Sequence, residues 1–63
     1  MRTYEVQCLD ENGSTIWSIP VHSRNDGLLL AGHLNYLNDS LFNLKKFPHY
    51  NGKRIGGYTL VED

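Results

Sequence analysis

"LLLAGHLNYLNDSLFNL", residues 28 to 44, places leucines at 30, 34, 37, 41 and 44. Steps of four, three, four and three residues are the spacing of a two-stranded zipper, and equally that of a helix with one face laid on a sheet. At about 100° per residue the five leucines share an arc of about 80°. Leu29, Tyr36 and Phe47 flank the arc on one side, Ala31 and Phe42 on the other. What the stripe covers is decided by the segments around it.

Upstream, "TYEVQCL" and "TIWSIPV" alternate in polarity on either side of "DENGST". Asn12-Gly13 between alternating runs is a strong hairpin signal, because a two-residue loop wants positive φ at both positions. That loop pairs Glu11 with Ser14, and the register then sets Cys8 opposite Trp17, Val6 opposite Ile19 and Tyr4 opposite Val21. All six share one face. The reverse face pairs Gln7 with Ser18, Glu5 with Pro20, and Leu9 with Ile16. Pro20 has no N–H for a ladder, so the second strand is expected at an edge or to end in a bulge.

Ser23 followed by Asp26 three residues on has the form of a capping box, with Asn25 and Asp26 as alternative caps. The period then changes from 2 to 3.6, and the spacing predicts a helix over residues 26–46, closed by Lys45 and Lys46 in its last turn and stopped by Pro48. The six-residue apolar face of the hairpin needs a cover, and only the leucine stripe is long and apolar enough to supply it. Sheet covering is therefore the expected role of the stripe. Leu28, Tyr36 and Phe42 exceed what one small sheet reaches, so a second use of the helix stays open.

Residues 54–61 read as a returning strand, with Tyr58 and Leu60 on one face and Ile55, Thr59 and Val61 toward the other. Asn51-Gly52 is a second tight turn, with a short strand at 47–50 as an option before it. Gly56-Gly57 marks a bulge or a close backbone approach. The expected fold is α+β: one compact β-β-α-β domain over residues 1–63, an antiparallel three-stranded sheet in order 2-1-3 with one amphipathic helix on one face. The reverse face, with Leu9, Ile16, Ile55 and Val61, stays uncovered and, together with Phe42, is the expected partner-binding surface.

The chain has 63 residues, a formal net charge of -1 and one cysteine. A chain this short buries only about 60% of its unfolded surface, and Cys8 alone closes no internal disulfide. Marginal stability and an exposed strand edge both point to homodimerisation. Without a signal-peptide pattern or a run of about 18 apolar residues, a cytoplasmic protein away from membranes is expected.

The chemistry-bearing residues form no catalytic set. Cys8 and His22 are the one tempting pair, yet the register separates them by about 17 Å along the ladder, whereas nucleophile and base must meet at about 3 Å. His22, His33 and His49 lack metal-ligand spacing, and Gly52, Gly56 and Gly57 form no phosphate loop. No catalytic residue, metal or cofactor is therefore expected. Charge is segregated: residues 1–39 carry a net -3, and residues 40–61 carry +4 from Lys45, Lys46, Lys53 and Arg54. Phe47 and Tyr50 lie among those cations, an interleaving that suits nucleic acid. The leading expectation is a non-catalytic interaction protein, a modulator or inhibitor of another protein. The alternative is a nucleic-acid-binding regulator using Lys45, Lys46, Phe47, Tyr50, Lys53 and Arg54.

Overall fold

The computed structural model describes residues 2–63. The elements are β1 (Tyr4–Asp10), β2 (Thr15–Val21), α1 (Arg24–Asn43), β3 (His49–Tyr50) and β4 (Lys53–Glu62). The sheet is antiparallel and four-stranded, in order β2-β1-β4-β3. The expected β2-β1-return order is present, but the expected count of three strands was one too few. Asn51 and Gly52 both take positive φ, 51° and 76°. They form the two-residue turn that pairs Tyr50 with Lys53 and His49 with Arg54 and adds a fourth, two-residue edge strand.

The first hairpin keeps the expected pairs from Tyr4↔Val21 through Cys8↔Trp17, then shifts, so that Leu9 pairs with Thr15 and not Ile16. Here only Gly13 of the Asn-Gly pair has positive φ. The Asp10 carboxylate accepts the N–H groups of Asn12 and Ser14, both at 2.9 Å, while the Asp10 N–H donates to the Ser14 carbonyl at 2.9 Å. The loop therefore holds three residues, and a bulge at Ile16 absorbs the mismatch. In β4 the matching irregularity lies at Gly56, between the pairs Leu9↔Gly57 and Asp10↔Ile55. A Cβ there would stand 2.5 Å from the Asp10 carbonyl oxygen, so no larger residue fits this approach.

Ser23 is the N-cap, its hydroxyl accepting the Asp26 N–H at 3.1 Å. The helix ends at Asn43, three residues before the expected end. Leu44 is the C-cap, Lys45 takes φ 56°, and its N–H donates to the Phe42 carbonyl while the Lys46 N–H donates to that of Leu41. This is a Schellman motif with lysine in the left-handed position usually held by glycine. Lys45 and Lys46 thus lie beyond the last turn, not in it.

Strand alternation places Tyr4, Val6, Cys8, Trp17, Ile19, Val21, Tyr58 and Leu60 on one face, and α1 packs on that face. The leucine stripe does not lead the contact. Gly27 and Ala31 are the buried helix residues. A Cβ on Gly27 would stand 2.4 Å from Leu60 Cδ1 and 3.2 Å from Val21 Cγ2, so the helix comes down onto the sheet at this point. Two turns on, the Asn35 amide donates to the Tyr58 carbonyl and accepts the Tyr58 N–H, both at 2.9 Å. β3 pairs only with Lys53 and Arg54, and Asn35 takes the place of a strand along the edge of β4 that β3 does not reach.

These anchors set α1 mainly over β4, less over β1 and least over β2. Val6 and Cys8 are fully buried, while Ile19 on β2 stays 38% exposed. On the helix, Leu30 and Leu34 are half-buried and Leu37, Leu41 and Leu44 are exposed. The expectation that the stripe covers the Trp17 face is thus met by the helix but not by most of its leucines.

Candidate functional site

Leu9, Ile16 and Val61 lie half-buried on the face of the sheet away from α1. They do not form one patch. Gln7 sits between them, donating to Glu5 at 2.9 Å and accepting from the Thr15 hydroxyl at 3.3 Å. This polar knot leaves Leu9 and Ile16 at one end and Val61 at the other. Ile55 is not on that face with them. The bulge at Gly56 shifts the alternation by one residue, and Ile55 lines a depression of about 350 Å³ with Glu11, Asn38, Asp39, Phe42, Arg54 and Gly56.

Phe42 and Ile55 therefore belong to a second site, at the C-terminal end of α1. The Phe42 and Phe47 rings meet edge to face, centroids 5.5 Å apart. The Arg54 guanidinium lies over the Phe47 ring at 3.9 Å and reaches the Phe42 ring at 5.7 Å. A cation over one ring and within reach of a second is attracted to both ring faces without a buried ion pair. Phe42 is 54%, Phe47 40% and Tyr50 47% exposed, so much of this aromatic area faces water. Asn38 Oδ1 is buried without a hydrogen-bond partner on the lining of the same depression.

The basic segment is not a uniform cationic surface. Arg54 also lies 3.9 Å from Glu11. Asp10, Glu11 and Asn12 share a second depression with Gly52, Lys53 and Arg54. The two tight turns thus bring carboxylates of the first hairpin against cations of the second. Lys45, Lys46 and Tyr50 remain exposed.

Cys8 is buried opposite Trp17, and the Trp17 and Tyr58 rings stand 5.8 Å apart. Tyr58 is the cross-strand neighbour of Cys8 on β4. Burial pushes the Cys8 thiol above its ordinary value, against a smaller pull from the neighbouring Tyr58 side chain; burial likewise raises Tyr58, helped by the neighbouring sulfur. A buried thiol with a raised pKa is a packing element, not an activated nucleophile. Among the described residues no three metal-ligating side chains gather, and no helix is long and apolar enough to cross a membrane.

The chain matches no known protein family, no curated protein and no solved structure. The site is therefore read from its own chemistry. Sequence reasoning grouped Phe47 with Arg54 but set Phe42 on another surface and missed their stack, because Phe42 lies on the helix and Arg54 on the far side of a turn. It missed Asn35 and Asn38 altogether; their only signal was two asparagines facing the sheet on an otherwise leucine-rich helix.

Proposed function

We propose that this chain is a small, non-catalytic, cytoplasmic interaction domain that modulates or inhibits another protein, docking through the Phe42–Phe47–Arg54 stack and the depression beside it. The stack is the observation that carries the reading. Rigid, half-exposed aromatic rings with an arginine are the composition of interface hot spots, because they offer large contact area and lose little side-chain freedom on binding. The depression adds concavity, the carboxylates of Glu11 and Asp39 as acceptors, and the Ile55 side chain. Leu9, Ile16 and Val61, split by Gln7, act as secondary contacts. Nucleic-acid binding through Lys45, Lys46, Phe47, Tyr50, Lys53 and Arg54 is the weaker reading. Arg54 occupies one face of Phe47, and Asp10 and Glu11 lie beside two of the four cations.

The test compares wild-type protein with Phe42→Asp and Arg54→Ala as immobilised baits in host extract, each variant checked for an unchanged circular-dichroism spectrum. A protein retained by wild type, lost by both variants and bound again in purified form supports the docking site. Retention indifferent to both substitutions overturns it. Retention of nucleic acid, falling steeply with salt, overturns it in favour of the alternative.

A further inference from the structure

The exposed leucine flank of α1 lies to one side of the Gly27–Ala31 contact line, while Asn35 and Phe42 lie to the other. It is thus separate from the aromatic docking site. Leu37 is 45%, Leu41 37% and Leu44 68% exposed. Between Asp26 and Asp39 the helix carries no Asp, Glu, Lys or Arg, whereas a helix whose outer side faces water ordinarily carries charge there.

Leu30, Leu34, Leu37 and Leu41 read the same in both directions about the midpoint between residues 35 and 36. Asp26 and Lys45 are placed symmetrically about that same midpoint. We propose that α1 pairs with α1 of a second copy of this chain, antiparallel, about a two-fold axis through that midpoint. Leu30 then meets Leu41 of the second copy, Leu34 meets its Leu37, and each contact occurs twice. Asp26 at the N-terminus of one helix comes to Lys45 and Lys46 beyond the C-terminus of the other, and the two macrodipoles oppose one another. A parallel pair would set Asp26 against Asp26 and lysine against lysine. The charge pattern selects the antiparallel arrangement.

Surface area supports a second copy. The chain exposes 4650 Å², about 500 Å² more than a folded monomer of this mass ordinarily exposes. Two such excesses come to about 1,000 Å², the size at which specific interfaces begin. The radius of gyration of 12.0 Å likewise exceeds the roughly 11 Å expected of a compact chain this long. Among the described residues only Val6 and Cys8 are large side chains with no exposure, a small core that burial of four leucines on each side would nearly complete.

Sedimentation equilibrium and thermal unfolding across a hundredfold concentration range test the proposal. A dimer mass, and a Tm that rises with concentration, are expected. A monomer mass at 0.5 mM protein, or a Tm independent of concentration, overturns it. Leu37→Lys should weaken the dimer by at least about 30-fold; a dimer indifferent to it overturns the leucine interface. Asp26→Lys should weaken association severalfold at low salt, and adding Lys45→Glu with Lys46→Glu should restore it. Failure of that rescue overturns the antiparallel orientation. Capture of another protein by the Phe42 site is read separately, so either proposal can fail alone.

Discussion

Along α1 the residues set deepest against the sheet are small or polar, Gly27, Ala31 and Asn35, whereas Leu30 and Leu34 are half-buried and Leu29, Leu37 and Leu41 face outward. Hydrophobic periodicity marks the segment as a helix, but it does not say which side goes down. Gly27 permits a close approach to Leu60 and Val21, and Asn35 finds two unpaired backbone groups at the β4 edge. A leucine at either position would hold the helix off the sheet or leave Tyr58 unpaired. Close packing and the satisfaction of backbone groups thus outweigh the larger transfer energy of the leucines, which remains available for a second surface.

The largest expected effect comes from filling the small side. Gly27→Val should destabilise the fold by about 3 kcal/mol in urea unfolding, because its branched side chain would overlap Leu60 and Val21. Gly32, on the same helix, has no atom within 4 Å of its would-be Cβ, and Gly32→Ala should stabilise by about 1 kcal/mol through helix propensity. Equal effects at the two glycines would break the distinction between the sides. Asn35→Ala removes two hydrogen bonds and strands the Tyr58 N–H and carbonyl, a loss of about 2 kcal/mol. Leu29→Gln, at a position 73% exposed, should shift stability by no more than about 0.5 kcal/mol.

Much of this architecture was legible in the sequence. The first hairpin's register from Tyr4 to Cys8, the Ser23 cap, the return strand beside β1 and the bulge at the glycine pair all rest on local rules, and local rules are written in adjacent residues. What escaped depended on competition between such rules. Asn-Gly gives a two-residue turn at 51–52 but not at 12–13, because the Asp10 carboxylate binds two loop N–H groups and draws in a third residue. The consequence reached Ile16, while a separate irregularity at Gly56, against the Asp10 backbone, moves Ile55 off the outer face. The docking site was half legible for the same reason. Its residue types stood out, while the Phe42–Arg54 meeting depends on where the helix lands.

Cys8 reports how well the small side of α1 seals the sheet. Burial raises its pKa and that of Tyr58 in the folded state, so both groups hold their protons more tightly folded than unfolded. Their contribution to stability is complete below the ordinary cysteine range, about pH 8.5, and is lost as pH rises through the folded values. Urea unfolding at pH 7.5, 9 and 10 should show this decline, and Cys8→Ala should make it shallower. Alkylation of native protein at pH 8 should be slow and should accelerate in Gly27→Val, whose helix no longer closes over the strand. Fast alkylation of both proteins would mean that the small side makes no seal.

A modest effect of opposite sign is expected where the leucine flank ends. Lys45 holds φ 56°, a left-handed conformation that costs a side chain with a Cβ and costs glycine little. Lys45→Gly should therefore stabilise the chain by about 0.5–1 kcal/mol, since the Schellman bonds to Phe42 and Leu41 come from backbone N–H groups that glycine retains. It also removes one of the two cations set against Asp26 of the second copy. The substitution should thus raise the Tm of dilute protein while weakening self-association at low salt. A gain in Tm with no change in association would assign the partner of Asp26 to Lys46 alone. A fall in Tm would mean that the lysine side chain itself holds the helix end, and the flank would then be fixed by the interface and not by the cap.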